Sequence, residues 1–341
     1  MADLPDTTRQ NHCEGDGSRT FGLTALVTLA CIVLAHRAPE QLALLMSALH
    51  HRHVRVYVHL DRRIPSDPFS EALEAAGSRG VVLLPRYDGR WGGVGIVDAA
   101  LSGLTQGVAD GCDYFILLSG QDFPLRPMGE IVEFVREAGS RSYVDHFALP
   151  APHWRFGGRD RTDFYTYDLL GRRETCIPRG EDVGFLNGKG LILNELLRMR
   201  TALKPARRFP PYVRPFGGSQ WWNLSLAAAD YILGFLGEHR DYRRYHEHTI
   251  LPDEMFFQSI LLGTEFPGRQ GVVNDAHRFA IWPDRASHPR TLTTSDLPAI
   301  VKSEKLFARK FDASVDSTVL AELAARVGAR TTVMADAAKR D

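Results

Sequence analysis

The strongest constraint on the fold is an alternation of strand-like and helix-like segments over the first 140 residues or so. Apolar runs rich in Val, Ile and Leu alternate with segments of helical apolar spacing, and short connections join them. The predicted strands are 21–35, 54–61, 81–85 and 113–119, and the predicted helices are 38–50, 67–80, 94–108 and 128–139. This pattern predicts an α/β fold with a mostly parallel central sheet and helices on both faces.

The apolar segment FGLTALVTLACIVLA, residues 21–35, permits two interpretations. It spans about 15 residues, whereas a membrane-crossing helix needs about 20, and no basic cluster precedes it as in a signal peptide. Its β-branched content and the helix-like segment after it favour a buried parallel strand. A short membrane anchor is the alternative.

The charge balance and the cysteines limit the class of protein. Lysine plus arginine equals aspartate plus glutamate at 41 each, so the chain lacks the global positive field of many nucleic-acid binders. The four cysteines show no CxxC spacing, and Cys31 and Cys112 lie in apolar runs typical of buried thiols. These features predict a reducing compartment, the cytoplasm.

Two predicted strands end in an aspartate: Asp61 in HLDRR and Asp122 in SGQD. Ligands of parallel α/β sheets bind at the carboxyl ends of strands, so both acids mark a candidate nucleotide site. The small residues Ser119 and Gly120 allow the backbone to approach a ligand. The GxGxxG and GxxxxGK[ST] fingerprints are absent, which argues against NAD and against ATP in a Walker loop. Capping of the turn before Pro124 is the alternative role for Asp122.

Glu254 in PDEMFFQSIL is the first candidate for acid–base chemistry. The segment predicts a turn at Pro252 and a helix starting near Asp253, with apolar residues following. A carboxylate at a helix N-terminus in partly dry surroundings suits a general base. The alternative is that Asp253 and Glu254 only cap the helix.

The motif GGSQWW, residues 217–222, places two tryptophans side by side. In a strand they point to opposite faces, so one can enter the core while the other lines a cleft. Trp221 and Trp222 are therefore candidates for stacking on a sugar ring, although core packing is the commoner use of tryptophan.

The stretch from residue 288 to residue 312 concentrates basic side chains. They are Arg290, Lys302, Lys305, Arg309 and Lys310. Such groups can neutralise a diphosphate without a metal, although a solvated basic face is the alternative. No two aspartates in the chain are separated by a single residue, so the Asp-x-Asp motif that holds a divalent cation in many nucleotide-sugar transferases is absent.

Seven stretches occur in an order that resembles a known family: IVLAHRAPEQL, VYVHLDRR, RWGGVGIVDAAL, DYFILLSGQDFPLRP, GGSQWWNLS, PDEMFFQSIL and LFARKFD. Together they resemble the core-2/I-branching β-1,6-N-acetylglucosaminyltransferases, a family that also contains the peptide O-xylosyltransferases, over roughly residues 22–312. The chain looks closer to short bacterial members than to the Golgi enzymes. The resemblance implies a GT-A fold and an inverting transferase that uses a UDP-sugar, with no metal or other cofactor.

The resemblance also implies roles for single residues. Glu254 matches the base that deprotonates the acceptor hydroxyl, and Lys310 matches a lysine that contacts the diphosphate. Arg290 is the best match to the partnering arginine, but its spacing to Lys310 is about three residues shorter than in the family. Arg285 is therefore a second candidate.

Four further residues match donor or acceptor positions of the family. Leu34 matches a backbone contact to the base, and Asp61 matches an acid near the uridine. Asp122 matches an acid near the donor sugar, where Ser119 and Gly120 let the backbone approach. Trp282 resembles an aromatic residue that packs on the acceptor.

The expected organisation is a polar, disordered tail at 1–20, a GT-A domain at 21–312, and a helix with a charged end at 313–341. Within the domain a nucleotide-binding half, about 21–149, precedes an acceptor half, about 150–312. Residues 150–215 have weak periodicity and predict a long excursion that faces the acceptor. The expected partners are a UDP-sugar and a saccharide or glycolipid acceptor, with peripheral membrane contact through this excursion if the acceptor is lipid-linked.

Two other functions are compatible with the same motifs. Motifs shared across the family do not discriminate N-acetylglucosamine from xylose as the donor sugar. A non-catalytic sugar- or nucleotide-binding protein on a transferase scaffold is the alternative from another class, and the joint presence of Glu254 and Lys310 argues against it.

Overall fold

A computed structural model describes residues 27–78, 80–169, 171–284, 286 and 288–329 of the chain. The predicted tail at 1–20, the first residues of the 21–35 segment and the end of the chain after 329 lie outside the described residues.

The first half of the chain alternates strands and helices, as the sequence predicts. Its elements are β1 (Leu29–Ala35), α1 (Pro39–Ala48), β2 (Val54–Leu60), α2 (Asp67–Ala75), β3 (Val81–Leu83), α3 (Gly95–Ala109), β4 (Tyr114–Ser119), β5 (Asp122–Pro124), α4 (Met128–Ala138) and β6 (Ser142–Ala148). The main difference is α2, which stops at Ala75 instead of reaching residue 80.

The second half contains shorter and less regular elements. They are α5 (Arg159–Thr162), β7 (Thr166–Leu169), β8 (Arg172–Thr175), α6 (Gly188–Thr201), β9 (Phe216–Ser225), α7 (Leu226–Glu238), α8 (Arg240–Tyr245), α9 (Phe256–Gly263), β10 (Val272–Val273), β11 (Arg278–Phe279), α10 (Leu297–Lys302), β12 (Phe307–Arg309) and α11 (Ser317–Val327).

The central sheet has seven strands in the order β10-β6-β9-β4-β1-β2-β3. Strands β4, β1, β2 and β3 run parallel, and β9 runs antiparallel between β4 and β6. This arrangement confirms the predicted GT-A-type α/β fold with its mainly parallel sheet. Because β9 and β10 come from the second half of the chain, the two predicted halves share one sheet and build one domain.

A small second sheet, in the order β11-β12-β5, joins two distant parts of the chain. Strand β12 runs antiparallel to β5, and its register pairs Arg309 with Asp122. The hairpin of β7 and β8 forms a separate two-stranded sheet. The second sheet brings the LFARKFD motif against the SGQD turn.

Alternate residues of β1 pack into different cores on the two faces of the sheet. Cys31 and Val33 belong to the core on one face, together with residues of α1, α4 and α11. Ala30 and Ile32 belong to the core on the other face, together with residues of α3, α7 and α9. This burial on both faces explains why β1 is apolar throughout, and it supports the strand interpretation of residues 29–35.

Among the residues that the structure describes, the longest helix is α3, with 15 residues. None of the described helices combines the length and the apolar character that crossing a bilayer requires.

Candidate active site

The carboxyl ends of β1, β2 and β4 lie side by side and are tied together by backbone hydrogen bonds. The N–H of Asp61 donates to the carbonyl of Ala35 at 2.9 Å, and the N–H of Gly120 donates to the carbonyl of Leu34 at 3.0 Å. Leu34 is also in register with Ser119. Four of the predicted donor residues therefore meet at one edge of the sheet, where ligands of parallel α/β sheets bind.

Asp61 is 2% exposed and is held by its neighbour Arg63. Arg63 donates from its backbone N–H at 2.9 Å and from Nη2 at 2.6 Å to the carboxylate oxygens, and it forms a second ion pair with Asp88 at 3.1 Å. Burial alone would raise the pKa of Asp61, but these hydrogen bonds to Arg63 outweigh it and lower the pKa. Asp61 is thus a fixed, ionised acceptor at the end of β2.

Asp122 closes the SGQD turn. Its Oδ2 accepts from the N–H of Ser119 at 2.6 Å, and its Oδ1 accepts from Nε of Arg309 at 3.0 Å. The Asp122 side chain has no exposed surface. In this structure Asp122 therefore caps the turn, which is the alternative role that the sequence left open. It also orients Arg309, and it presents no surface to donor hydroxyls.

Gly120 is not required by the packing of the turn. A Cβ at this position would meet the Cβ of Ala35 at 3.4 Å, which is ordinary van der Waals contact. The close approach of a ligand at Gly120 therefore stays a prediction from the sequence.

The two tryptophans of β9 are both buried. Trp222 is 0% exposed and packs on Phe257 with ring centroids 5.4 Å apart, so it belongs to the core and has no face for a sugar. Trp221 is 6% exposed, and the guanidinium of Arg309 covers its ring at 4.3 Å. This corrects the expectation that one of them lines an open cleft, because β9 is an interior strand with helices or side chains over both faces.

Lys310 follows β12 and is partly buried. Its ammonium makes no hydrogen bond or ion pair with any side chain that the structure describes. Burial lowers the pKa of Lys310, and the positive charges of Arg37 and Arg309 lower it further. Arg37, which follows β1, is itself ion-paired with Asp312. Arg309 is likewise ion-paired, with Asp122, so among these three cations the Lys310 ammonium is the one without a carboxylate within ion-pair distance in the described part of the chain.

Arg290 lies near Lys310, as the resemblance implies, but it is paired with a carboxylate. Its guanidinium is held by Asp296 through two hydrogen bonds of 2.8 and 2.5 Å. The segments of Arg290 and Lys310 are neighbours, since the N–H of Leu292 donates to the carbonyl of Lys310 at 2.9 Å. Arg290 is therefore near the expected clamp but already neutralised by a carboxylate. The second candidate, Arg285, lies outside the described residues.

Trp282 is the one predicted aromatic residue with an open surface, since it is 57% exposed. It lies in the segment between β11 and α10, at the start of the stretch that leads to Arg290. Its ring is free to pack against a large ligand.

Glu254 lies in a single 3-10 turn, Pro252–Glu254, directly before α9. The turn is entered through Leu251, whose left-handed backbone (φ 49°) is uncommon for a residue other than glycine. The N–H of Leu251 donates to the carbonyl of Gly92 at 3.2 Å, which ties the turn to the RWGG motif. The Glu254 side chain is 27% exposed, so most of it is buried and a part remains accessible.

Among the residues that the structure describes, the carboxylate of Glu254 is hydrogen-bonded on one side only. Its Oε2 accepts from Nη2 of Arg161 at 2.7 Å. Burial raises the pKa of Glu254, and the guanidinium of Arg161 partly offsets this rise. This leaves Oε1 as an acceptor in a partly dry environment, the combination that suits a general base.

The neighbouring Asp253 is 6% exposed, and its Oδ1 has no hydrogen-bond partner among the described residues. Burial, together with the charge of Glu254, raises its pKa to about 7. The capping alternative is not supported, because Met255 occupies the N-cap position of α9 and no described side chain caps that helix.

Sequence reasoning missed the residues that hold Glu254. Arg161 is only 9% exposed, forms a second ion pair with Asp160 at 3.1 Å, and lies over the ring of Trp154 at 3.8 Å. All three come from the 150–215 excursion. The Gly157-Gly158 pair, with φ values of 67° and 94°, marks a tight turn there, but a turn signal does not say which distant carboxylate it will face.

Strand β9 lies between the segment that carries Glu254 and the segment that carries Lys310. Trp222 packs on Phe257 of α9, which follows Glu254, while Trp221 lies under Arg309, the neighbour of Lys310. The candidate base and the candidate clamp therefore flank the same strand.

One cavity, of about 640 Å³, is lined by other residues than those predicted from the sequence. It lies between the RWGG loop, the β7–β8 hairpin and the segment before Glu254. Its polar lining includes Arg62, Asp88, Arg90, Asp98, Asp168, Arg173, Arg200, Arg243, Glu247 and His248. Two of the lining residues lie beside the candidate donor site: Arg62 follows Asp61 in the chain, and Asp88 is ion-paired with Arg63.

A parallel sheet with its polar residues at the carboxyl edge is the arrangement of nucleotide-binding α/β proteins. A family model described as "Core-2/I-Branching enzyme" matches residues 29–306, and the chain belongs to this family of glycosyltransferases. Among its relatives are xylosyltransferase 2 of Rattus norvegicus, 23% identical over 319 residues and 86% of this chain, and xylosyltransferase 1 of Canis lupus familiaris, 22% identical over 331 residues and 90% of this chain. The alignments cover 33% and 31% of those proteins, so the chain spans about a third of their length.

Proposed function

We propose that the chain is an inverting, metal-independent glycosyltransferase that transfers a sugar from a UDP-sugar to a hydroxyl of a saccharide acceptor, with N-acetylglucosamine as the first candidate sugar. The observation that supports this most directly is the Glu254 carboxylate, largely buried, raised in pKa, and fixed by Arg161 through one oxygen only. The buried free thiols Cys31, Cys112 and Cys176 are compatible with a cytoplasmic location.

In the proposed reaction Glu254 Oε1 takes the proton of the acceptor hydroxyl. The hydroxyl oxygen attacks the anomeric carbon of the donor as the bond from that carbon to the UDP oxygen breaks. A single in-line displacement inverts the configuration at this carbon. Arg161 keeps the carboxylate pointed at the acceptor, and it stays bound to Oε2 throughout.

The leaving diphosphate needs positive charge where its own negative charge develops. Lys310 is the first candidate because its ammonium has no carboxylate partner among the described residues, unlike Arg290. Asp122 fixes the guanidinium of Arg309 over Trp221, so we assign Asp122 a positioning role rather than a contact with the sugar. Asp61 and the backbone of Leu34 are proposed to bind the uridine.

A second donor, UDP-xylose, is favoured by a specific observation. The relatives named above are xylosyltransferases, and the fold and the proposed mechanism are compatible with either sugar. Trp282 is proposed to pack on the acceptor because it alone among the three predicted tryptophans has an open face.

The test is binding and slow hydrolysis across a panel of UDP-sugars in the presence of EDTA. Turnover of UDP-N-acetylglucosamine under these conditions supports the proposal as stated, whereas preference for UDP-xylose moves the donor assignment to the second candidate. Activity that requires added manganese refutes metal independence. Failure to bind any UDP-sugar favours a non-catalytic protein on this scaffold.

A further inference from the structure

Helix α6 exposes a stripe of large apolar side chains. Ile192 is 66% exposed, Leu196 53%, and Met199 65%, while Leu203, just after the helix, is 100% exposed. Their spacing of four, three and four residues places them on one line along the helix. Contiguous exposed apolar surface of this kind marks an interaction site in a protein that must stay in solution.

The opposite face of α6 packs against the rest of the protein, and this packing leaves the stripe exposed. Leu197 is buried against Tyr167 and Cys176 of the β7–β8 hairpin. Asn194 is 4% exposed and exchanges two hydrogen bonds with the backbone of Ile177, at 2.8 and 3.1 Å. Because this face is fixed by packing and hydrogen bonds, α6 cannot rotate to bury the stripe against its own domain.

The charge around the stripe is basic. Residues 188–204 carry four basic side chains and one acidic one, a net charge of +3 in a chain whose total is zero. The acid, Glu195, is ion-paired with Arg198. Lys189, Arg200 and Lys204 are exposed along the other edge of the stripe. Arg200 and Lys204 also lie over the rings of Tyr167 and Tyr165, at 4.4 and 5.1 Å, so they share their charge with the hairpin.

We propose that α6 docks on an anionic lipid bilayer, with the apolar stripe in the interfacial region and the basic edge against lipid head groups. An apolar line flanked by lysine and arginine is the pattern of helices that lie in the plane of a membrane. The occupant is not a second copy of this chain, because a symmetric contact through α6 would place two surfaces of +3 against each other.

Docking through α6 would turn the 640 Å³ cavity toward the bilayer. Arg200 lies over the ring of Tyr167 at 4.4 Å, and both residues line the 640 Å³ cavity beside the segment that leads to Glu254. A saccharide carried on a lipid would reach the cavity from this side. This consequence rests on the proposed function, whereas docking itself does not.

The experiment is co-flotation of the full chain with vesicles of phosphatidylcholine mixed with phosphatidylglycerol, and with vesicles of phosphatidylcholine alone. The expected result is binding to the mixed vesicles that weakens with salt. The double variant Ile192→Ser with Met199→Ser should lose binding by about 10-fold or more, since interfacial affinity scales with buried apolar area. Val301→Ser, an exposed apolar residue of α10 that is 49% exposed, is the matched control and should bind as the wild type does.

Equal binding to both vesicles would overturn the role of the basic edge, and no binding to either would overturn the proposal. Concentration-dependent dimers that disappear in the double variant would assign the stripe to a second copy instead. Because the substituted side chains are solvent-exposed, the double variant should keep wild-type unfolding and UDP binding. Loss of flotation with UDP binding retained therefore separates this inference from the proposed function.

Discussion

Asp253 is expected to destabilise the protein in its ionised form, and Asp253→Asn tests this. The carboxylate is buried beside Glu254, and one of its oxygens lacks a hydrogen bond. Its pKa is raised from 3.8 to about 7. The folded protein thus binds this proton more tightly than the unfolded chain does, so stability falls as the pH rises from 3.8 through about 7.

The magnitude follows from the size of the pKa difference. Each pKa unit corresponds to about 1.4 kcal/mol, so ionised Asp253 costs roughly 4 kcal/mol well above pH 7 and less than half of that near pH 5. Asparagine keeps the shape but cannot ionise. We compare the free energies of unfolding of Asp253→Asn and the wild type. Between pH 5 and pH 8 their difference should therefore shift in favour of Asp253→Asn by about 2–3 kcal/mol.

The assay is urea denaturation of both proteins across this pH range. Burying the asparagine amide lowers stability by a constant amount at every pH, so the slope with pH is the decisive quantity. Asp284→Asn, at an exposed aspartate, is the control for the change from aspartate to asparagine itself. A difference between Asp253→Asn and the wild type that does not change with pH would refute the burial argument.

Three further predictions concern the site. Arg161→Met removes the guanidinium that lowers the pKa of Glu254, so the acidic limb of the pH profile of kcat/KM should move to higher pH. Arg161→Lys keeps a positive charge and should move the limb less. A limb that does not move in Arg161→Met would contradict the pairing of Arg161 with Glu254. Lys310→Met should weaken UDP binding by about 10- to 100-fold in calorimetry, the effect of one charge-assisted hydrogen bond, and an unchanged Kd would remove Lys310 from the clamp. Trp222→Ala should lower the free energy of unfolding by about 3–5 kcal/mol, and Trp282→Ala by less than about 0.5 kcal/mol, in urea denaturation. Only Trp282→Ala should raise KM for an acceptor, and a core-like loss of stability there would contradict its exposure.

The sequence predicts well what depends on nearby residues. The first four strands and the helices between them follow from local apolar patterns, and their observed bounds mostly differ by a few residues. The two turns of the site also have local sequence signals. Small residues mark the SGQD turn, and a proline marks the 3-10 turn at Glu254. Because β1 is buried on both faces, its uniform apolar character could be interpreted correctly without knowing its partners.

What the sequence could not predict depends on pairings between distant residues. Arg161 meets Glu254 across 93 positions, and Arg309 meets Asp122 across 187. The insertion of β9 between β4 and β6 decides that both of its tryptophans are buried, and no local pattern encodes this order. The pairing of Arg290, which the sequence analysis also did not predict, is short-range: Asp296, six residues later, accepts a hydrogen bond from its guanidinium.

The most direct test of the central claim is Glu254→Gln, assayed in parallel for sugar transfer and for UDP binding. Glutamine keeps an oxygen for Arg161 but cannot accept the acceptor proton. Loss of a general base should lower the transfer rate by about 10²- to 10⁴-fold and leave the Kd for UDP unchanged. Retained transfer, or an equal loss of transfer and UDP binding, would contradict the assignment of Glu254 as the catalytic base.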